Sequence, residues 1–242
     1  MQEVRTERIV WDEFPEGYPC IMEFRLIYDG PLKAAGGGKG GRRTEEKHAI
    51  RKVLHKQLAR IWEINPNLKV RTKDHTVLFP GAATWDENQK ITSRTMATSH
   101  LHQSLCKTLG ENFNRCGYKF VPLVNNHLKL SCGLDILFLR RDMPGVPLIH
   151  SGGDIDNRLK VLFDALRVPE NCSELTGAVK KPNEEPYFFC LLEDDALITD
   201  VSITTDTLLT PYLAGTENDV HLVIKVKVRP TDFSFENLDF VT

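Results

Sequence analysis

The sequence has no apolar run long enough to cross a membrane and no apolar signal segment near its first residue. Uninterrupted apolar stretches such as residues 136–139 fall far short of the roughly 20 residues that a spanning helix needs. The chain opens Met1-Gln2-Glu3-Val4-Arg5, which lacks the apolar core of a secretory leader. We therefore expect a cytoplasmic protein that does not associate with membranes.

A cysteine pattern is also lacking. The six cysteines are widely spaced, and no two of them form a Cys-x-x-Cys pair. Free thiols in a reducing compartment fit this spacing better than a disulfide framework does. The six are Cys20, Cys106, Cys116, Cys132, Cys172 and Cys190.

The chain has almost no excess of charge of one sign, with a formal net charge of -2. The charges are nevertheless unevenly distributed. Residues 1–153 contain 23 Lys and Arg against 16 Asp and Glu, a net charge of +7, whereas residues 154–242 contain 8 against 17, a net charge of -9. Such asymmetry indicates a polyanion-binding surface beside an acidic site. An incidental distribution of surface charge explains it equally well on this feature alone.

Hydrophobic periodicity predicts a mixture of helices and strands. Strands are expected at 20–28, 77–79, 127–140, 187–192, 196–204 and 220–228, and helices at 44–64, 99–113 and 156–166. Strands and helices do not alternate as regular βαβ units, so the expected fold class is α+β, with a mixed sheet and packed helices. The length of 242 residues is compatible with a single domain.

The segment 153–166 carries the clearest chemical pattern. Leu159, Leu162, Phe163 and Leu166 are spaced to lie on one helical face. Asp156 is expected to cap that helix at its N-terminus, because a carboxylate accepts the free amides of the first turn. Asp154 lies two residues earlier in extended chain and can converge with Asp156, and Lys160 follows one turn later, off the apolar face.

A second acidic group, Asp194-Asp195, lies within strand-like sequence. If it meets the first group, three or four carboxylates would repel each other, and a hard divalent cation would relieve that repulsion. Magnesium, or manganese in its place, could then activate water for phosphodiester hydrolysis. Taken separately, an Asp at a helix start is usually only a cap, and Asp-Asp is often a solvated turn.

The whole pattern resembles the RusA-type Holliday-junction resolvases. It reads Asp154-x-Asp156-Asn157-x-x-Lys160, then Phe-Asp-Ala-Leu at 163–166, then Asp194-Asp195 before a strand. The similarity is good over about 128–229 and extends plausibly to 20–62. The chain departs from the family in its length, in extra residues at about 66–127 and in a long connection at 168–192.

The resemblance implies a RusA-like fold and a homodimer that uses Mg²⁺ or Mn²⁺ to nick branched DNA symmetrically. It also implies that Asp154, Asp156 and Asp195 ligate the metal, that Asp194 occupies an acidic position beside them and is a further candidate metal ligand, and that Lys160 assists catalysis. An alternative is a RusA-like subunit of a larger system that binds nucleic acid without cutting it. Residues 66–127 would be an insertion into the single domain.

A glycine-rich basic segment at 33–43 is expected to be a flexible loop. Its Lys33, Lys39, Arg42 and Arg43 would contact DNA phosphates without reading sequence, although a solvated linker would have the same composition. The glycines match a dinucleotide-binding fingerprint by letter, but residues 29–35 separate them from the preceding strand. No nucleotide cofactor is therefore expected.

A zinc site is a weaker alternative. His100, His102, Cys106 and Cys116 could supply ligands. On a helix, however, only His102 and Cys106 would share a face. Leu101, Leu105 and Leu109 already explain that segment as core packing.

Overall fold

The computed structural model describes residues 22–33, 40–79, 83–85, 91–94, 98–102, 104–141, 155–175, 185–209, 218–232 and 237. The helices are α1 (Gly40–Ile64), α2 (Pro66–Val70), α3 (Leu105–Asn112) and α4 (Ile155–Leu166). The strands are β1 (Met22–Pro31), β2 (His75–Phe79), β3 (Ala83–Trp85), β4 (Ile91–Arg94), β5 (Thr98–His102), β6 (Asn114–Arg115), β7 (Tyr118–Val124), β8 (Leu130–Arg140), β9 (Phe188–Leu192), β10 (Ile198–Thr207) and β11 (Asp219–Pro230). Short 3-10 helices lie at Cys172–Leu175 and Asp195–Leu197.

The largest sheet has four strands in the order β1-β11-β8-β10. The first three strands are antiparallel, and β10 joins β8 in parallel. Successive side chains of a strand point to opposite faces, so every second residue of a strand faces the core. The inward residues of β11 are all buried, as the sequence predicted: Val220, Leu222, Ile224, Val226 and Val228. The same prediction is confirmed for β8.

A smaller three-stranded sheet has the order β6-β7-β9, with β7 and β9 parallel. Strand β7 lies inside the segment that the sequence assigned to an insertion. Its residues Val121, Leu123 and Val124 are nevertheless fully buried in the main core. Part of the segment 66–127 is therefore structural. The fold is α+β, with two mixed sheets and helices packed against them.

Helices α1 and α4 cover the core. Ile50, Leu54, Leu58 and Trp62 recur every four residues along α1 and are all buried, which is the stripe that an amphipathic helix turns inward. In α4 the predicted apolar face is also confirmed, with Leu159, Leu162 and Leu166 buried and Phe163 packed against the core. The two helices contact each other.

Three sequence expectations are wrong at the boundaries of α1, α3 and α4. Helix α1 begins at Gly40 and not at Thr44, since glycine's helix penalty of about 1 kcal/mol is only a weak preference. Residues 98–102 form β5, which pairs with β2, so only the second half of the helix expected at 99–113 exists. Helix α4 begins at Ile155, so Asp156 lies in the first turn and not at the cap.

Ser104 explains the boundary of α3. It is the N-cap residue, and its hydroxyl accepts a hydrogen bond from the backbone N–H of Lys107 at 3.2 Å. A serine cap starts a helix because it satisfies an amide that has no partner within the helix.

A disulfide joins Cys116 to Cys172, with Cα atoms 5.7 Å apart. The expectation that all the cysteines are free thiols is therefore wrong for this pair. The bond connects the β6–β7 turn to the 3-10 helix at Cys172–Leu175 across 56 residues of sequence, and a spacing so long gives no local signal. Cys106, Cys132 and Cys190 are free and buried.

No helix in the described part of the chain is long and apolar enough to cross a membrane.

Candidate functional site

Helix α4 presents two of the predicted site residues on its outer side. Asp156 and Lys160 are both exposed, while the opposite face of the helix is buried. The Asp156 carboxylate accepts a hydrogen bond from the backbone N–H of Asn157 at 2.7 Å. Lys160 forms no ion pair with any described residue. Both side chains are therefore accessible to a ligand from solvent.

The acidic turn after β9 contains three consecutive carboxylates with different roles. Glu193 accepts hydrogen bonds from the backbone and side-chain amides of Asn126 at 2.7 and 3.0 Å. Asp194 caps the 3-10 helix at Asp195–Leu197 and accepts from the backbone N–H of Ala196 at 2.9 Å. The Asp195 side chain is exposed, and its carboxylate forms neither a hydrogen bond nor an ion pair with the described residues, whereas its backbone carbonyl accepts the Ile198 N–H. Of the three, Asp195 has the carboxylate that is free to bind a cation.

The fold brings the acidic turn next to α4. Cα atoms of α4 and of the turn at Asp195–Leu197 approach within 8 Å. A main-chain hydrogen bond from Val168 N–H to the Leu192 carbonyl, 2.9 Å long, joins the end of the helix to the strand that leads into the turn. Two segments separated by about thirty residues of sequence thus become neighbours, as the metal-site hypothesis requires.

Asp154, the remaining predicted ligand, lies outside the described residues. Within the described ranges no group of three or more His, Cys, Asp and Glu side chains is positioned to hold a metal ion. The set of Asp154, Asp156 and Asp195 stays a prediction. Its donors are carboxylate oxygens, which is the chemistry that magnesium prefers.

A buried ionic network fixes α4 against α1. Lys47 on α1 pairs with Asp164 on α4 at 2.5 Å, and Arg51 donates to the Asp164 carbonyl at 2.6 Å. Glu174 then lies 3.2 Å from Arg51 and 3.1 Å from Arg167. Burial lowers the pKa of the Arg51 guanidinium, and the nearby Glu174 carboxylate opposes that shift. The network sets the position of the helix that carries Asp156 and Lys160.

The predicted DNA-binding cations are only partly described. Lys33 is half-exposed and pairs with Glu46 on α1 at 3.3 Å. Arg42 and Arg43 lie in the first turn of α1, not in a flexible loop. Lys39 and most of the glycine-rich segment lie outside the described residues. The role of these four residues in DNA binding stays a prediction.

The arrangement weakens the zinc alternative. His100 and His102 belong to β5 and not to a helix, so the shared face with Cys106 does not exist. Cys116 is bonded to Cys172 and is not available as a thiolate ligand.

A pocket between α1 and β9 escaped the sequence reasoning. It has a volume of about 400 Å³, and its walls include Lys52, Lys56, His55, Tyr187 and Phe188. The available signals were two lysines one helical turn apart and the aromatic run at 187–189. Neither signal is specific without the fold, because the two segments are more than a hundred residues apart.

Comparisons of the chain with protein-family models, with curated proteins and with solved structures found no match.

Proposed function

We propose that the protein is a magnesium-dependent endonuclease that cuts phosphodiester bonds in branched DNA such as Holliday junctions. The observation that carries the proposal is the approach of α4, which presents Asp156 and Lys160, to the turn that presents Asp195. All three side chains are exposed. A cation and a phosphate could bind there, because the Asp195 carboxylate and Lys160 have no partner among the described residues and the Asp156 carboxylate accepts only the adjacent Asn157 N–H.

Each residue has a proposed role. Asp154, Asp156 and Asp195 would hold the metal, and Asp194 would support the turn by the cap that it forms at 2.9 Å. Magnesium bound there would activate water and stabilise the leaving oxygen of the phosphodiester. Lys160, one turn after Asp156, would bind a phosphate oxygen and offset the negative charge that develops on it.

A cleavage assay on four-way junctions, flaps and single strands, with and without magnesium, tests this function. We expect magnesium-dependent cleavage by the wild type and none by Asp156→Asn, with binding to the junction retained. Asp206→Asn is a matched control, because its exposed carboxylate also accepts the following backbone N–H at 2.7 Å. Equal cleavage by the wild type and Asp156→Asn would contradict the proposal.

Junction binding without cleavage by the wild type would favour the alternative of a non-cleaving subunit. Binding and cleavage must be measured on the same junction, because the two candidate functions differ only in whether the bound DNA is cut. An acidic cluster would give a pure DNA binder no advantage, because carboxylates repel phosphates.

We also propose a homodimer, because resolving a nearly two-fold symmetric junction needs two matched nicks. Strand β10 is an edge of the main sheet and is exposed along most of its length. The other edge, β1, is covered in part by Gln57, which exchanges hydrogen bonds of 2.9 and 2.7 Å with the Ile27 backbone. An exposed edge strand is a natural site for a partner. Light scattering should give twice 27.5 kDa, and a mass of 27.5 kDa with and without junction DNA would exclude the dimer.

A further inference from the structure

The pocket between α1 and β9 has a rigid aromatic interior. Phe188 stacks on His55 with ring centroids 4.4 Å apart and meets Tyr118 edge-on at 5.6 Å. Tyr118 and Phe188 are both buried, and their rings form the floor of the pocket. The pocket volume of about 400 Å³ is within the usual range for sites that enclose a small organic group.

Tyr187 is held in place on the other side of the pocket. Helix α3 passes so close at Gly110 that an added Cβ would lie 3.1 Å from the Tyr187 ring. Burial raises the pKa of the Tyr187 hydroxyl, and the nearby Ser104 side chain opposes that rise. A side chain at 110 would make the Tyr187 ring shift by a few tenths of an ångström, so the close approach of α3 limits where the ring can lie.

The mouth of the pocket is cationic. Lys52 and Lys56 lie one turn apart on α1, both exposed, and Val53 between them is 41% exposed. Glu185 also lines the mouth, but it lies 3.3 Å from Nε2 of His55. Nδ1 of that ring accepts a hydrogen bond from the Phe189 backbone N–H at 2.8 Å. The His55 proton is therefore on Nε2 and faces the Glu185 carboxylate. Because that imidazole is neutral, Lys52, Lys56 and Glu185 together leave the mouth with a net charge of +1.

A flat aromatic floor below two cations fits a ligand that is flat at one end and anionic at the other. We propose that this pocket binds an unpaired nucleotide of a DNA strand, with the base against the aromatic rings and the phosphates at Lys52 and Lys56. Base stacking on aromatic side chains combined with lysine contacts to the backbone is how single strands are bound without sequence preference. Strand β9 joins the pocket at Phe188 to the acidic turn after Leu192.

This inference names part of the substrate of the proposed nuclease, but it does not depend on cleavage. Binding can be measured in EDTA, where a magnesium-dependent reaction stops. Fluorescence anisotropy with a labelled single strand of about 12 nucleotides, within the site sizes of single-strand-binding folds, gives both the affinity and its salt dependence. A chain that binds through the pocket but never cuts DNA would refute the nuclease and leave the pocket standing.

Two variants separate the contributions of charge and stacking. Lys52→Ala with Lys56→Ala should lower the salt slope by up to about 1.4, because each phosphate contact on a single strand contributes about 0.7. Val53→Trp fills the mouth at an exposed position and should weaken binding about 5- to 100-fold, the range expected for one lost stacked base, with the slope unchanged. Lys69→Ala with Lys107→Ala removes the same charge outside the pocket and should change affinity less than twofold.

The proposal is overturned if Val53→Trp binds as the wild type does, or if the control pair weakens binding as much as the pocket pair. A strand carrying 5-iododeoxyuridine should crosslink within 185–189 on irradiation, and crosslinks confined to other segments would also overturn it. Deoxynucleoside monophosphates should compete only weakly. Competition as strong as that of the oligonucleotide would make this a site for free nucleotides and not for a DNA strand.

Discussion

The most informative stability prediction concerns Glu174, which neutralises two buried guanidinium groups. The Arg51 side chain is fully buried and the Arg167 side chain is 9% exposed, and Glu174 lies 3.2 and 3.1 Å from them. Glu174→Gln keeps the shape of the side chain but removes its charge. Arg51 would then keep its hydrogen bond to the Asp164 carbonyl at 2.6 Å and a neutral amide oxygen at position 174, but this buried cation would lack the counter-charge of Glu174.

The expected loss follows from the burial of the pair. Removing one partner of a buried pair costs about 3–5 kcal/mol. Glu174 is 19% exposed, so water can partly solvate the remaining charge. We therefore expect Glu174→Gln to lower the free energy of unfolding by about 2–4 kcal/mol, somewhat less than for a fully buried pair. Urea denaturation should show a lower midpoint with an unchanged slope.

Glu170→Gln is the matched control. Glu170 also lies 3.1 Å from Nη2 of Arg167, but its side chain is 68% exposed. Exposed pairs contribute about 0–1 kcal/mol. The reasoning fails if the two variants lose the same free energy, because distance to the same arginine would then matter and burial would not. A double variant of Arg51→Met with Glu174→Gln should recover part of the loss, since it removes the unpaired charge.

Three further predictions concern other parts of the fold. Reduction of the disulfide, or Cys116→Ser, should cost about 4 kcal/mol because the bond to Cys172 closes 56 residues, and the variant should no longer respond to reductant in urea denaturation. Burial raises the pKa of the Cys106 and Cys132 thiols to about 12, so peptide mapping should find neither modified by iodoacetamide at pH 8 before unfolding. Burial, then Asp219 and Glu46, raise the pKa of Tyr28 to about 12. The folded state therefore holds this proton more tightly than the unfolded state, in which the pKa is about 10. The free energy of unfolding of the wild type should fall as pH rises from about 10 to 12, and Tyr28→Phe should lack this contribution.

Strands with strict alternation could be predicted well from the sequence. In β11 each inward residue of the predicted strand is buried, because a single residue slip would place that whole set on the solvent face. The apolar face of α4 could be predicted for the same reason, since Leu159, Leu162 and Leu166 leave only one face for the core.

Segments with ambiguous periodicity could not be predicted. Leu101, Leu105 and Leu109 have helical spacing, yet Leu101 belongs to β5 because pairing with β2 decided its structure. Val53 has the spacing of the apolar residues of α1 and is 41% exposed, whereas Arg51 is buried. The charge of the buried Arg51 is paired with Glu174, which lies more than a hundred residues away and gives no local signal.

The candidate site, too, could be predicted only in part from the sequence. The local pattern indicated Asp156 and Lys160, and the structure places both on the exposed side of α4. The local sequence pattern could not show which of Glu193, Asp194 and Asp195 has a carboxylate free to bind a cation. Glu193 is held by Asn126, and Asp194 is a cap, so their roles depend on groups that the local sequence does not reveal. Among the three, only the Asp195 carboxylate has no partner among the described residues.

The central claim is that Asp156 and Asp195 share a cation. Titration of the protein with Mn²⁺, followed by the loss of the free-ion electron paramagnetic resonance signal, measures that site directly without a DNA substrate. The account predicts bound Mn²⁺ that magnesium displaces, weaker binding in Asp156→Asn and in Asp195→Asn, and unchanged binding in Asp206→Asn. Wild-type affinity in both Asp156→Asn and Asp195→Asn, or an equal loss in Asp206→Asn, would contradict it.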